Sequence, residues 1–408
     1  MKDYKAIFDK ALKSNNYYDN IDLRFNNRVG VFLNRNELEE YLVFKESANT
    51  NERVDLDLYT FNSKKIYYTL AKEMTNQIKD YLDLISTDIT QYSSLVYDRS
   101  TDELEISQIA SEIEGTLKIE GVNTTRRQIM NIIKTKDTTN NNSKIILNMY
   151  NALLFINSKP EFNKDNLKRL YNILSDGCLP EKSILGDKYY RTEMVYVGDH
   201  SGCPAEEIEV AMDTLFKYVN SSKNYLFYEF LKPFIAHYYI LYIHPYYDYN
   251  GRTSRMVESW IIKNNELSSA PLFISEAIND HKSKYYEFID KTRNSHNDLT
   301  YFLIYILDLS IKYYIAYKNL DTVRKEIESS GEQIQPSILH YYKKILVSNM
   351  DWFNWKMFYN TCNLDISKQA SFKILNQLLD LKLLVSKNNS SGEKIYKLNE
   401  ERLVYTKI

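Results

Sequence analysis

Glycine and proline are scarce in this 408-residue chain, at 10 and 7. With so few breakers, and apolar residues recurring at three- and four-residue intervals over long stretches, a turn-rich β fold is disfavoured and a mainly α protein is predicted. No uninterrupted apolar run approaches the roughly 18–20 residues of a membrane span. The opening MKDYKAIFDKALKSNN is charged from its second residue and has no apolar h-region, which speaks against a secretory signal. Cysteine is nearly absent. Cys178, Cys203 and Cys362 lie far apart, form no CxxC pair, and suit reduced thiols in the cytoplasm. An excess of positive charge is also missing: a formal net charge of −2 argues against binding nucleic acid over the whole surface and permits only a local basic patch. There is no Walker GxxxxGK[ST], no GxGxxG and no internal repeat, so a nucleotide, if used, is held in another way.

Residues 1–63 mix short apolar runs with Asn-rich turns and read as partly strand or irregular, within an N-terminal region taken as 1–105. From 64 onward helical periodicity is clearer, starting with KKIYYTLAKEMTNQIKDYLDLI and DELEISQIASEIEGTLKIEG, then TTRRQIMNII with a threonine N-cap. Further helices are expected at about 145–157, 164–175, 205–220, 223–243, 251–265, 273–293 and 298–317. Between two of them, Met194, Val195, Tyr196 and Val197 are β-prone and followed by Gly198, Asp199 and Gly202, so a short hairpin or extended flap is expected among the helices. Over 335–408 the pattern is three helices and a two-stranded hairpin, the order of a winged helix. Eleven Lys/Arg against six Asp/Glu give that segment a balance of +5, which fits DNA contact or protein docking.

The densest chemistry lies in 244-HPYYDYNGRTSR-255. The helix ending YYILYI delivers His244, Pro245 stops it, and a new helix begins near Asn250 and Gly251. A loop feeding a helix start exposes backbone N–H groups and the positive end of a dipole, which together favour an anion. Arg252 and Arg255, three residues apart, both reach toward polyphosphate oxygens. Asp248 is placed to hold a hydrated Mg²⁺ bridging those phosphates. His244 stays free as a general base for an incoming hydroxyl. Taken singly, each residue has an ordinary structural reading, as a buried helix-end histidine or a solvated helix charge. The ordered set within twelve residues does not reduce to that.

This stretch resembles the Fic signature HPF-x-[DE]-G-N-G-R-x-x-R, with His244, Pro245, Asp248, Asn250, Gly251, Arg252 and Arg255 in register. The flap 191-RTEMVYVG-198 with Pro204, SKYYEFIDKTR (283–293) and HNDLTYFLIYIL (296–307) extend the resemblance from about 107 to 310. It implies an all-α Fic core over 106–325 with a β-hairpin flap, joined to a winged helix at 335–408. The implied reaction is transfer of AMP from ATP to a Ser, Thr or Tyr hydroxyl of a target protein, with pyrophosphate leaving. By that resemblance His244 is the base and Asp248 the Mg²⁺ ligand. Asn250 and the Gly251 amide hold the α/β-phosphates, Arg252 and Arg255 the β/γ side, and Met194, Val195 and Tyr196 pair edge-on with the target. Tyr246 stands at the usual Phe, a core anchor. Tyr249 departs from the pattern, because the family usually has Gly there. Either the loop keeps a negative φ at Tyr249, or the phosphate cradle is altered.

Upstream, 110-ASEIEG-115 and 116-TLKIEG-121 both end in Ile-Glu-Gly. They resemble the inhibitory pattern [ST]-x-x-x-E-[GN] of Fic proteins, whose glutamate pairs with the second signature arginine. The first frame needs Ser or Thr and has Ala110; the second has Thr116. The inhibitory helix is therefore placed at about 107–121, with Thr116 and Glu120 as the brake on Arg255. Two other readings stay open: a regulator in which the Fic core only senses nucleotide, and a transferase of another group such as UMP or phosphocholine. The oligomeric state, including a homodimer, the target and a reverse reaction are not written in the sequence.

Overall fold

The computed structural model describes residues 2–48, 50–92, 102–198, 200–222, 226–265, 274–331, 334–348, 350–362 and 366–405. Asp199 and the first residues of the helices expected at 223 and 273 lie outside them. The chain divides into two compact units, residues 1–309 and 310–408.

The first unit opens with α1 (Tyr4–Lys13), α2 (Asn20–Phe25), α3 (Arg35–Ser47) and the antiparallel pair β1 (Arg53–Tyr59) and β2 (Lys65–Thr69). There follow α4 (Lys72–Tyr92), α5 (Asp102–Ile119), α6 (Arg126–Thr135), α7 (Asn141–Asn157) and α8 (Lys164–Ser175). A two-residue-per-strand hairpin, β3 (Tyr196–Val197) with β4 (His200–Ser201), precedes α9 (Ile208–Asn220), α10 (Leu226–Ile243) and α11 (Asn250–Asn264). Then come α12 (Ile274–Asp280), α13 (Lys282–Asn294) and the long α14 (Thr300–Ser329), which begins in the first unit and continues past residue 309 into the second.

Two expectations are corrected. The run KKIYYTL is not the first turn of a helix: Lys65–Thr69 is a strand, and the helix begins at Lys72. Its Ile-Tyr-Tyr-Thr side chains are buried on both faces, a surrounding that suits β-branched and aromatic residues better than a helix surface does. The single helix expected at 273–293 is two, because the chain turns at His281 between α12 and α13.

Nor does the N-terminal region stand apart from the rest of the first unit. Lys45 on α3 pairs with Asp298 at 3.0 Å, both side chains almost fully buried. The Thr69 amide donates to Thr300 Oγ1 at 2.7 Å and the Leu299 amide to the Tyr67 carbonyl at 2.9 Å. Ordering such a buried ion pair requires the surrounding hydrogen bonds to be in place, so these residues fold with the helical core.

The centre of the unit is the antiparallel pair α10 and α11. Trp260 of α11 is fully buried, edge-on to Phe155 and Phe162, and its indole N–H donates to the Pro160 carbonyl at 2.8 Å. Thr125 caps α6 reciprocally with Gln128, as the sequence indicated.

The second unit contains α15 (Pro336–Ser348), α16 (Trp355–Thr361), α17 (Lys368–Asp380) and the hairpin β5 (Leu384–Asn388) with β6 (Lys394–Leu398). Phe353, between α15 and α16, bridges to Tyr396 on β6 and stacks on its ring. Tyr342, Phe358, Leu375, Leu378 and Leu384 close a separate apolar core. Among the described residues no helix is long and apolar enough to cross a membrane.

Candidate functional site

Helix α10 ends in a residue that must leave helical geometry at once, because Pro245 follows. His244 does so with φ +54 while its amide still donates to the Ile240 carbonyl at 2.9 Å. Tyr246 then plunges into the core, fully buried and stacked on Tyr171 with ring centroids 3.9 Å apart. Asn250 fastens the loop from the other side. Its side-chain oxygen accepts from the Tyr246 amide at 3.0 Å and its side-chain nitrogen donates to the Tyr246 carbonyl at 2.9 Å. The Asn250 side chain is thus committed to the loop itself.

Tyr249 takes the positive φ that glycine would take. It sits at φ +66, ψ 8 as the residue before α11, with its ring under the Arg252 guanidinium at 3.4 Å. Its backbone N–H donates to Asp248 Oδ1 at 2.6 Å. That carboxylate is half exposed and lies 3.7 Å from Arg252 Nη2. Among the described residues no three His, Cys, Asp or Glu side chains converge as a metal cage.

Glu120 faces the start of α11. The last turn of α5 closes in a Schellman pattern, with the Val122 amide bonded to Leu117 O at 2.9 Å and the Gly121 amide to Lys118 O at 3.1 Å. Gly121 supplies the φ of +78 that this closure needs. Glu120 is the last residue before it, and its carboxylate accepts from Arg255 Nη2 at 2.6 Å. Arg255 Nε donates to Thr116 Oγ1 at 2.9 Å, one turn back on α5. Glu120 Oε1 lies so near Gly251 that a Cβ there would come within 2.7 Å of it. Burial works to raise the Glu120 pKa, but Arg255 and then Arg252 outweigh it and hold the carboxyl below its ordinary range.

The rival frame faces elsewhere. Glu114 pairs with Lys118 at 2.8 Å and Arg126 at 3.5 Å, and Gly115 packs against the backbone of α12.

His244 is neutral over the physiological range. Burial, then the neighbouring Arg191 charge, bring its imidazole down to about 4. Residues 196–197 and 200–201 form the expected hairpin, with Tyr196 and Met194 exposed and Val195 half-buried. The Gly202 amide donates to the Val195 carbonyl at 2.9 Å.

Three participants were not singled out by sequence reasoning. Arg191, buried, reaches the carbonyls of His244, Glu193 and Cys203. Cys178 lies beside Tyr249 and accepts from the Asn148 side-chain amide at 3.6 Å. Glu112, buried on α5, accepts from the Ser275 amide at 3.1 Å. Arg191 lay inside the flap motif, but a lone arginine carries no spacing signal.

Residues 161–262, which include the whole loop and the start of α11, match the Fic/DOC family. Over these residues the chain is similar to a Fic domain. Over 242 residues it is 25% identical to a protein named protein adenylyltransferase Fic from Aedes aegypti, covering 58% of this chain and 45% of that one. A protein of the same name from Drosophila ananassae is 28% identical over 208 residues, covering 49% and 40%. The matched region thus spans less than half the length of these curated relatives. A solved Fic family protein from Desulfovibrio desulfuricans G20 has the same fold, with a TM-score of 0.51 at 19% identity over 82% of this chain and 98% of that one.

Proposed function

We propose that this chain is a protein adenylyltransferase, moving AMP from ATP to a Ser, Thr or Tyr hydroxyl of a target protein, and that Glu120 restrains it. The observation that carries this reading is the Glu120–Arg255–Thr116 contact over the first turn of α11, at 2.6 and 2.9 Å. A carboxylate paired with a buried arginine at a helix N-terminus occupies the ground that a phosphate would need.

Once Glu120 withdraws, the first-turn amides of α11 and the Arg252 and Arg255 guanidinium groups face a polyphosphate, with Gly251 allowing close approach. Neutral His244 then takes the proton of the target hydroxyl as its oxygen attacks the α-phosphorus and the bond to pyrophosphate breaks. In the free site His244 is a weak base. An adjacent polyphosphate raises its basicity, so proton transfer is tied to nucleotide binding. Asp248, half exposed with one oxygen on the Tyr249 amide, fits a Mg²⁺ that keeps its waters and binds one carboxylate plus the substrate's phosphates. That ion would supply charge neutralisation on the transferring phosphates. The flap strand at Met194, Val195 and Tyr196 would present the extended target segment.

The winged-helix reading of 335–408 is supported by the order α15, Phe353 bridge, α16, α17, hairpin, and its partner is DNA or a docking protein. Three cysteines kept apart as thiols support a cytoplasmic setting. A homodimer is compatible with the reading.

The test is direct. Purified wild-type, Glu120→Gly and Glu120→Gly/His244→Ala proteins are incubated with Mg²⁺ and α-labelled ATP. Label on the Glu120→Gly protein, lost with His244, is expected. ATP binding without label across a nucleotide panel would replace the transferase by a nucleotide sensor, and label from another nucleotide would change the donor.

A further inference from the structure

Arg191 is 1% exposed and its guanidinium is satisfied by backbone carbonyls from three segments. Nε donates to His244 O at 2.8 Å, Nη1 to Glu193 O at 2.5 Å, and Nη2 to Cys203 O at 2.5 Å. Its own amide donates to Pro245 O at 3.0 Å. One residue therefore holds two successive carbonyls of the catalytic loop and both ends of the flap.

The loop needs such a hold. A histidine at φ +54 persists only where its surroundings fix it, since the conformation costs roughly 1 kcal/mol or more. Gly202 tightens the arrangement: a Cβ there would lie 2.9 Å from Arg191 Nη2 and 3.4 Å from His244 Cβ, so the returning flap presses on both.

A buried guanidinium is expensive to desolvate, and a structural tie alone does not require a charge. The charge does act on the imidazole. Arg191 from the flap and Arg293 from α13 oppose its protonation and Asp248 from the loop favours it, while Cys203 and Tyr247 are the titratable groups that face Arg191 itself.

We propose that Arg191 is a positioning residue for the transfer: through the His244 and Pro245 carbonyls and the flap backbone it sets the imidazole against the hydroxyl that the flap presents. This rests on the transferase reading above. It predicts that the chemical step is lost while nucleotide binding is kept, because Arg191 makes no contact with the first turn of α11.

The experiment places Arg191→Met and Arg191→Lys in the Glu120→Gly protein and follows self-labelling over a range of ATP concentrations. Arg191→Met should lower the saturating rate on the order of 100-fold, the size expected for a displaced catalytic group. Half-saturating ATP should change by less than about threefold. Arg191→Lys, which keeps a charge but not the fork, should recover part of the rate. In the absence of nucleotide, the His244 imidazole resonance should titrate at higher pH in Arg191→Met, and the melting transition should stay cooperative. An unchanged rate, an unmoved titration, or a parallel loss of rate and ATP binding would each overturn the proposal. Absence of labelling in the Glu120→Gly parent would instead remove the transferase reading, and the imidazole titration would still decide whether Arg191 governs His244.

Discussion

Tyr249 shows how one residue can break a local rule and be held by its surroundings. A left-handed conformation costs a non-glycine residue roughly 1–2 kcal/mol. The residue is only 3% exposed, however, and the Arg252 guanidinium lies 3.4 Å from its ring centroid. Burying an aromatic ring contributes about 1.5–3 kcal/mol and a shielded cation–π contact about 0.5–2. The favourable contributions are larger, so Tyr249→Gly, although it restores the family residue and relieves the strain, should destabilise the first unit by about 1–2 kcal/mol. Thermal melting checks this, and a raised melting temperature would reverse the balance. The sequence left φ at Tyr249 open because the burial that decides it comes from elsewhere in the chain, while burial pushes the Tyr249 phenol up to about 12 and keeps it uncharged beside Arg252. His244, Asp248, Gly251, Arg252 and Arg255 were legible because the motif packs them into one short run. Arg191 was not, because its partners are backbone carbonyls far away in sequence.

At the scale of the element, the question is how α5 holds Glu120 where it is. The answer lies partly in Gly115, in the frame that does not supply the paired glutamate. A Cβ at Gly115 would stand 2.6 Å from the Glu276 backbone amide, so α5 crosses α12 at a distance only glycine permits. Ser111, one turn back, donates to Glu276 Oε2 at 2.7 Å and fixes the same crossing. Gly115→Ala should therefore force the helices apart, lower stability by about 1–3 kcal/mol, as overpacking does, and loosen Glu120 from Arg255. The expected outcome is a lower melting temperature together with self-labelling in a protein that still carries Glu120. Glu114→Gly, which removes a contact to Lys118 and Arg126 only, should leave labelling at the wild-type level, whereas Glu120→Gly raises it. Equal labelling in the two glutamate variants would remove Glu120 from its assigned role. The repeat of Ile-Glu-Gly was visible in the sequence, and the Thr116 match selected the frame that pairs with Arg255. The second job of the other glycine was not visible, since it depends on α12, which periodicity had merged with α13. The β propensity of Ile-Tyr-Tyr-Thr was likewise outvoted by the helical run that follows it, and only pairing with β1 decides that it is a strand.

For the folded molecule, α5 and the residue just after it carry two acids with opposite pH behaviour. Glu120 is held below its ordinary range, so its pairing with Arg255 stabilises the fold above the unfolded carboxylate pKa of about 4.3 and is lost as pH falls through the depressed value. Glu112 is the reverse case. Burial lifts it to about 7 against the amide of Ser275 and the more distant Arg255, with Glu258 adding to the rise. A carboxyl raised in the fold binds more protons folded than unfolded. Its contribution is therefore complete below the unfolded value and declines as pH rises from about 4.3 to about 7. That shift corresponds to a decline on the order of 3 kcal/mol for a fully buried group, enough to shape the melting curve of a domain this size. Glu112→Gln keeps the shape and an acceptor for Ser275 but cannot ionise. Its melting temperature should match the wild type near pH 4 and exceed it by several degrees at pH 8, and the wild-type decline between those values should flatten. Parallel melting curves for the two proteins across that range would mean that Glu112 stays protonated, or finds a cation, throughout.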